Sequence, residues 1–408
     1  MNTGKHVLQM SPKSPNPLAF EQIEGTFDGA RDLVCFSHLR WDFVYQRPQH
    51  LMSRFAREGR VFFVEEPTFQ KSQDATLSMR LDKSGVCVVV PQLSESLSPL
   101  SVTALLRRLM DRMFADRGIR ECIAWYYTPM ARAFTDHLDF RVVVYDCMDE
   151  LALFKGAPKD LRKREAELLH AADVVFTGGV SLYEAKKALH NNIHPAPSSI
   201  DIDHFKRARS IAVEPPDQAS IPRPRLGFAG VIDERMDIDL LAAVAEDQPQ
   251  WHFVLVGPVV KIDPDLLPKR SNIHYLGSKP YADLPGYMAG WDMALLPFAR
   301  NDATRYISPT KTPEYLAAGK PVVSTSIRDV VKTYGAQDLV RIADSPKDFA
   351  AAISECLAES RDVKHFAKWQ ERADRFLAQT SWDRTWTTMA ELIEAAVATR
   401  EVPRANAS

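Results

Sequence analysis

Lys311 and Glu314 lie three residues apart in a segment whose composition suits the binding of a diphosphate and a ribose. The ammonium of Lys311 and the backbone amides that begin at Thr310 offer positive charge and hydrogen-bond donors to an anion. The carboxylate of Glu314, one turn further along a helix, can accept hydrogen bonds from two vicinal hydroxyls. The alternative is a solvated ion pair on a packing helix, which needs no ligand.

The surrounding residues predict the helix that would position this pair. In the sequence YISPTKTPEYLAAGKPVV, residues 306–323, Ser308 is a good N-cap and Pro309 fits the first helical position. Gly319 marks the end of the helix before the next strand. The helix N-terminus would lie at the carboxyl edge of the preceding strand, where its dipole adds to the charge of Lys311, so the segment predicts a phosphate site.

Two polar clusters follow apolar strands in the first half of the chain and are candidates for acid–base chemistry. In SHLRWDFVYQRPQH, residues 37–50, His38 is a candidate base. The same loop offers three candidate acceptor contacts: Trp41, Gln46 and Arg47. In YDCMDE, residues 145–150, Asp146 or Asp149 could orient a sugar or take a proton. Alternatively, the loop is a solvated connection and either aspartate caps a helix.

Apolar runs rich in β-branched residues alternate with amphipathic stretches in both halves of the chain. The first series begins at residues 32, 61, 86, 122, 141 and 173, and the second at 225, 252, 272, 293, 320 and 339. Continuous apolar strands separated by helices predict parallel sheets buried on both faces. We therefore predict an α/β fold of two Rossmann-like, doubly wound domains, with chemistry in the cleft between them.

The predicted domain organisation follows from this alternation and from a linker rich in proline and charge. It comprises a tail (1–30), a first domain (31–205), the linker (206–225), a second domain (226–366), C-terminal helices that cross back to the first domain (367–400) and a second tail (401–408).

Composition excludes several classes of function. The 408 residues carry a formal net charge of −2, with Lys and Arg spread along the chain, so nucleic acid is not expected as a partner. The five cysteines form no CxxC pair or zinc spacing, which indicates reduced thiols in a cytoplasmic protein. No apolar run is long enough to span a bilayer, and the N-terminus has no signal-peptide pattern.

An amphipathic stretch at residues 104–117, ALLRRLMDRMFADR, carries four arginines opposite its apolar face. The face can pack on the first sheet and leave the arginines in solvent. The alternative is peripheral contact with anionic headgroups at the inner face of the cytoplasmic membrane, close to a lipid-linked acceptor. The sequence leaves both open.

SPTKTPEYLAAGKPVVST resembles the donor-binding signature of GT-B glycosyltransferases, especially glycosyltransferase family 4, in which the glutamate of the motif binds the nucleotide ribose. RLGFAGVIDERMDIDLL is similar to the first strand and phosphate loop of the second domain of that family. SHLRWDFVYQRPQHLMSRFA resembles a subgroup that includes teichuronic-acid-type and similar cell-envelope polysaccharide transferases. The resemblance spans residues 32–396. It implies a GT-B enzyme that takes a sugar from a nucleoside-diphosphate donor, UDP by preference, and extends a polysaccharide, lipopolysaccharide or related glycoconjugate.

Two departures from the family pattern affect the donor site. Tyr306 stands where many relatives place a glutamate that holds the donor sugar. After Gly230, relatives carry an arginine and, further on, a lysine, whereas this chain offers only Arg235 as an approximate substitute. Lys311 must then supply much of the charge for the departing diphosphate. Two neighbours could assist it, Arg300 and Arg305.

No DxD-like pair accompanies the donor motif, so we expect neither a metal nor another cofactor. The resemblance implies that the anomeric configuration is retained. Two other functions fit the same architecture. A nucleotide-sugar 2-epimerase would release UDP from donor and water without an acceptor, and a non-catalytic binding or scaffold subunit would agree with the altered phosphate loop.

Overall fold

The structure is a computed structural model that describes residues 32–71 and 74–405, with side chains up to residue 400. The predicted tail at 1–30 and residues 406–408 of the second predicted tail lie outside the described residues. The first domain is built on a nine-stranded sheet in the order β3-β5-β2-β1-β6-β7-β8-β9, with β4 paired to β5. Its strands are β1 Asp32–Ser37, β2 Val61–Glu65, β3 Thr68–Gln70, β4 Thr76–Leu81, β5 Val86–Ser94, β6 Cys122–Tyr126, β7 Val142–Cys147, β8 Val174–Thr177 and β9 Ile193–Pro195.

The second domain is built on a six-stranded sheet in the order β12-β11-β10-β13-β14-β15. All its described strand pairs are parallel. Its strands are β10 Arg225–Ala229, β11 His252–Val256, β12 Ile273–Gly277, β13 Met293–Leu296, β14 Val322–Ser324 and β15 Val340–Ile342.

Fourteen α-helices surround the two sheets in the described chain. Those of the first half are α1 Arg47–Phe55, α2 Pro99–Arg117, α3 Arg132–Thr135, α4 Leu161–Ala171, α5 Val180–Lys186, α6 Ile202–Lys206 and α7 Pro216–Ala219. Those of the second half are α8 Ile238–Asp247, α9 Leu284–Ala289, α10 Lys311–Ala317, α11 Arg328–Thr333, α12 Pro346–Glu359, α13 Val363–Leu377 and α14 Trp382–Ala405.

Both sheets reverse their strand order at one point, and this fixes where a ligand can bind. In the first sheet, β1 has β2 on one side and β6 on the other. In the second sheet, β10 lies likewise between β11 and β13. Ligands of doubly wound sheets bind beyond the carboxyl ends of the strands at such a switch point. The predicted fold class, two doubly wound α/β domains, is confirmed.

The C-terminal segment consists of two helices with different partners. Trp369 and Leu377 of α13 pack into the core of the second domain. Trp382 and Met389 of α14 pack with the core of the first sheet. The chain therefore crosses back to the first domain at residues 378–381, and α14 is the crossover helix.

The residues predicted as a linker, 206–225, contain the short helix α7 and part of α6. They pack on the second domain, because Ala208 and Ile221 belong to its core. Gln218 is buried, donates to the carbonyl of Tyr287 at 2.9 Å and accepts from the indole of Trp291 at 2.9 Å. These contacts fix the start of β10 relative to α9.

The amphipathic stretch at 104–117 forms most of α2, and its apolar face is buried at Leu106 and Met110. Arg107 binds Asp136, and Arg112 binds Asp116 at 3.3 Å. Two of the four arginines therefore have carboxylate partners within the protein. In the described ranges, no helix is both long and apolar enough to cross a membrane.

Candidate functional site

A cleft of about 720 Å³ opens between the two domains at the carboxyl ends of their strands. The second domain contributes the loops after β10, β11 and β12 and the start of α10, while the first contributes the loop after β1. Residues from both domains line it, among them Trp41, Tyr45, Gly230, Gly257, Tyr281, Lys311 and Glu314. The switch point of the second sheet therefore faces the first domain, as predicted for a site between two Rossmann-like domains.

The floor of the cleft is built where the loops after β10 and β11 cross. The amide of Gly230 donates to the carbonyl of Val256 at 2.8 Å. Gly257 has a φ of 149°, and a Cβ there would come within 1.8 Å of the carbonyl oxygen of Gly230. Gly257 thus allows the backbones to touch, and the stem of Lys311 packs on Gly230 with Cε 3.3 Å from the position of an added Cβ.

Helix α10 begins later than the sequence predicts. Its first residue is Lys311 and its N-cap is Thr310, so Ser308 does not cap it and Pro309 precedes it. The chain instead makes a turn in which the amide of Thr312 donates to the carbonyl of Pro309 at 3.3 Å. Ser308 lies against the first domain, beside Gly179.

Lys311 and Glu314 both line the cleft and face each other across the first turn of α10. The Lys311 Nζ atom lies 3.7 Å from Glu314 Oε2 and donates to Thr310 Oγ1 at 3.2 Å. Glu314 is only 9% exposed, and its Oε2 has no hydrogen-bond partner in the described chain. Burial raises the pKa of Glu314, and the nearby Lys311 opposes that shift. A buried acceptor oxygen without a hydrogen-bond donor destabilises the folded protein, so this oxygen is a site for a hydrogen bond from a ligand hydroxyl or a water.

Arg235 lies in the segment between β10 and α8, and its side chain is held by a neighbouring carboxylate. Its Nε and Nη2 atoms donate to the two oxygens of Asp233 at 2.9 and 2.8 Å. The guanidinium carbon lies 5.7 Å from the ring centre of Phe154 in the first domain. Arg235 thus reaches across the interface, with its charge partly offset by Asp233.

Tyr306 is not grouped with Lys311 and Glu314 in the cleft. It lies in a second cavity of about 590 Å³, together with Arg305 and with Glu150 and Leu153 of the first domain. Arg300, the second arginine predicted to assist Lys311, binds Asp344 at 3.2 Å on the surface. Neither arginine lines the cleft that holds Lys311.

His38 follows β1 and remains a neutral imidazole at pH 7. Burial lowers its pKa to about 4, and the charge of Lys261 acts in the same direction. Its Nδ1 atom has no hydrogen-bond partner in the described part of the chain. A neutral ring with an unpaired nitrogen can accept a proton or a hydrogen bond.

Asp146 and Arg47 bind each other rather than facing the cleft. Arg47 Nε and Nη2 donate to the two oxygens of Asp146, each at 2.8 Å, and Nη1 donates to the carbonyl of Ala196 at 2.7 Å. Arg47 is 1% exposed and Asp146 is 0% exposed. This geometry gives both residues a structural place between α1 and β7, in contrast to the acceptor and catalytic roles that the sequence suggested.

Of the three carboxylates at residues 145–150, Asp149 is the one that remains a candidate for catalysis. It lies two residues after β7 and is partly exposed. Burial raises its pKa to about 6, against the lowering effects of Arg235 and Arg47. Its neighbour Glu150 is engaged, because it binds Lys186 at 2.7 Å. Asp149 thus follows the end of β7 and feels the charge of Arg235, and neither it nor His38 is among the residues that line the cleft.

The predicted acceptor residues lie in different surroundings. Trp41 lines the cleft and is held by its backbone, whose amide donates to Glu65 at 2.8 Å and whose carbonyl accepts from Gln49 at 2.7 Å. Gln46 precedes α1, and its backbone N–H donates to Gln49 Oε1 at 3.0 Å. Gln46 therefore organises the helix start beside the cleft rather than lining it.

Two residues that contact the other domain escaped the sequence reasoning. Tyr281 stacks on His204 at 4.3 Å and lies 4.7 Å from Tyr45, so it joins the domains at the cleft wall. Lys261 has a left-handed φ of 61° and places its ammonium 5.7 Å from the ring centre of Phe154. Both follow strands at the carboxyl edge of the second sheet, and that position was the available signal.

The described residues contain no group of three His, Cys, Asp or Glu side chains that could hold a metal ion. The lysines that line the cleft are Lys83, Lys279 and Lys311, while Arg235 and Lys261 lie against Phe154, outside the cleft lining. An anionic ligand would therefore meet the ammonium of Lys311 over a glycine floor, and a hydroxyl beside it would meet the Glu314 oxygen that has no hydrogen-bond partner in the described chain.

Residues 223–359 match the family model described as Glycosyl transferases group 1. The chain is also similar to a teichuronic acid biosynthesis glycosyltransferase, TuaH of Bacillus subtilis (strain 168). The two are 25% identical over 278 residues, which cover 63% of this chain and 69% of TuaH.

Solved glycosyltransferase structures share the whole two-domain arrangement. Sucrose-phosphate synthase from Thermosynechococcus elongatus superposes with a TM-score of 0.65 at 15% identity, covering 90% of this chain and 100% of its own. Anabaena HepE, solved in complex with UDP and glucose, superposes with a TM-score of 0.64 at 13% identity, covering 90% and 100%. At such identities the likeness shows the fold, and the fold is GT-B.

Proposed function

We propose that this chain, a glycosyltransferase of the GT-B architecture, binds a nucleoside-diphosphate sugar on Lys311 and Glu314 and transfers the sugar to a glycan or lipid-linked acceptor. The observation that carries the proposal is the buried Oε2 atom of Glu314, which lines the cleft, lies 3.7 Å from the Lys311 ammonium and has no hydrogen-bond partner in the described chain. Two vicinal hydroxyls of a ribose would satisfy this carboxylate and remove the penalty of its burial.

The diphosphate would lie over the glycine floor, next to the ammonium of Lys311. Gly230 and Gly257 leave room for phosphate oxygens to approach the backbone, and Lys311 offers a charge that is offset only by Glu314 at 3.7 Å. Arg235 would approach the phosphates either by keeping one of its hydrogen bonds to Asp233 or by giving up both. Charge development on the leaving diphosphate is then stabilised by side chains, which supports a reaction without a metal ion.

The base of the donor is proposed to be uracil. HepE, which shares this fold, was solved with UDP bound. The loop after β12 would border the base, since Ser278 and Tyr281 line the same cleft as Glu314. Retention of the anomeric configuration is proposed on the resemblance of the donor motif to retaining enzymes.

On the acceptor side, Asp149 and His38 are proposed as the groups that orient the sugar or take the acceptor proton. Both lie at the carboxyl edge of the first sheet; the raised pKa of Asp149, about 6, suits a general base near neutral pH, whereas the lowered pKa of His38, about 4, makes it the weaker base and favours a hydrogen-bonding role. Trp41 would contact the acceptor from the cleft wall. The name of TuaH suggests a cell-envelope polysaccharide as the class of product.

A thermal-shift panel of UDP, GDP, ADP and CMP, each with and without its common sugars, tests the proposal. We expect UDP to raise the unfolding temperature, because ligands that bind only the folded state stabilise it by mass action. Absence of a shift with every nucleotide would favour a non-catalytic scaffold. Release of UDP from a UDP-sugar at full rate without any acceptor would favour a 2-epimerase.

A further inference from the structure

The two domains also meet behind the donor segment, where α11 of the second domain touches α5 of the first. The Oδ1 atom of Asp329 accepts a hydrogen bond from the amide of Ser181 at 3.0 Å. Asp329 is 3% exposed and Ser181 is 1% exposed. A carboxylate of one domain therefore satisfies a backbone donor of the other in a buried contact.

Gly179 brings the donor segment into this contact. A Cβ at Gly179 would come within 2.3 Å of Asp329 Oδ2 and 2.7 Å of Ser308 Cβ. Real Cβ atoms are not found so close to other atoms, so only glycine lets the two domains approach this far. Ser308 lies three residues before Lys311, which means that the same contact fixes the start of the proposed donor segment, residues 308–311.

With the two domains in contact, which we call the closed arrangement, two buried polar atoms have no hydrogen bond. Asp329 Oδ2 and Ser181 Oγ are both buried without a hydrogen-bond partner in the described chain. Water would solvate both atoms if the domains moved apart, so burial here opposes the closed arrangement. A ligand that favours the closed arrangement can offset that penalty, and the closed form is then populated most when the ligand is bound.

We propose that Asp329 is a positioning residue that latches the two domains together and holds residues 308–311 in the conformation that binds the donor. This inference rests on the proposed function, since it assigns the donor to Lys311 and Glu314. Asp329 itself touches no substrate. It acts through the Ser181 amide and through the Gly179–Ser308 contact.

The test uses the full chain and UDP as the probe. Asp329→Ala removes the acceptor of the Ser181 amide, and Gly179→Ala wedges the contact open, whereas Asp329→Asn keeps an oxygen in place. Two controls match these changes. Gly286→Ala adds a Cβ whose nearest neighbour, Pro215, is at an ordinary 3.6 Å, and Asp239→Ala removes an exposed carboxylate from the first turn of α8.

We expect Asp329→Ala and Gly179→Ala to weaken UDP binding about tenfold, the effect of losing one charged hydrogen bond. We also expect both to raise the radius of gyration from small-angle X-ray scattering, while Asp329→Asn and the controls stay close to the parent. A merely structural role would lower the unfolding temperature without changing UDP affinity or the radius of gyration.

Parental UDP affinity in both folded variants would overturn the proposal, and so would a parental radius of gyration. If Asp329→Ala does not fold, the comparison of Gly179→Ala with Gly286→Ala decides. Glu314→Ala separates this inference from the proposed function. If Glu314→Ala binds UDP as the parent does while Gly179→Ala still raises the radius of gyration, the donor assignment fails and the domain latch stands.

Discussion

Asp149 and His38 differ in the direction in which burial moves their pKa values. Burial raises the pKa of Asp149 to about 6 and lowers that of His38 to about 4. At pH 7 the carboxylate is ionised and the imidazole is neutral, but the low pKa of His38 makes it the weaker proton acceptor of the two. Because the two groups titrate in different pH ranges, their contributions can be separated.

Replacing Asp149 by Asn is expected to lower turnover about a hundredfold to ten-thousandfold if the carboxylate acts as the base. Asn keeps the size of the side chain, so folding and nucleotide affinity are expected to stay near the parent. Initial rates of UDP release with acceptor present give the measurement, with His38→Gln assayed beside it. If both variants turn over within a few-fold of the parent, the base is the acceptor or the donor phosphate instead.

The pH profile offers an independent check on Asp149. A carboxylate with a pKa of about 6 loses its charge as the pH falls through 6, so kcat is expected to decline below that value. His38 stays neutral throughout this range and contributes no inflection there. The inflection near pH 6 is expected to vanish in Asp149→Asn, and its persistence would assign the titration to another group.

Spacing along the chain limits which site residues a sequence can bring together. Lys311 and Glu314 are three positions apart on one helix, so their proximity follows from helical geometry. Arg47 and Asp146 are 99 positions apart, and only the fold reveals that they bind each other. The family resemblance placed Tyr306 with the donor residues, but it lines the neighbouring cavity together with Arg305 and Glu150.

Helix α1 and strand β7 are joined by the buried pair of Arg47 and Asp146. Asp146→Asn leaves the guanidinium of Arg47 buried without a counter-charge, and we expect a loss of about 3–5 kcal/mol in the free energy of unfolding. Urea denaturation followed by fluorescence measures it. The exposed helical pair Arg112–Asp116 supplies the control, since Asp116→Asn is expected to change stability by less than about 0.5 kcal/mol.

The same variant distinguishes a structural from a catalytic Asp146. If the ion pair only holds α1 against β7, the folded fraction of Asp146→Asn keeps a kcat within a few-fold of the parent. A loss of turnover as large as that expected for Asp149→Asn, with stability unchanged, would return Asp146 to the catalytic group.

The strands buried on both faces could be predicted from sequence because their apolar runs are continuous. β1 occupies residues 32–37, where the apolar run predicts it. β4 was missed because it is an edge strand with alternating, largely exposed residues and no apolar run. The C-terminal helices, residues 367–400, were predicted to cross back to the first domain together, whereas α13 packs on the second domain and α14 packs on the first.

At the scale of the whole molecule, two separately packed domains face each other across a cleft whose positive charge comes from side chains. The donor chemistry proposed here needs no divalent ion, so we expect activity to survive an excess of EDTA. Initial rates before and after chelation give the measurement. Loss of turnover that magnesium or manganese restores would contradict the assignment of the charge to Lys311 and Arg235.

The most direct test of the nucleotide-sugar assignment is calorimetric titration of UDP into the parent and into Glu314→Ala. We predict that the parent binds UDP and that Glu314→Ala, still folded by circular dichroism, binds it more weakly by about 1–3 kcal/mol, the range for a lost buried hydrogen-bonding group. Equal affinity in the two proteins, or no binding of UDP to the parent, would contradict the placement of the donor in this cleft.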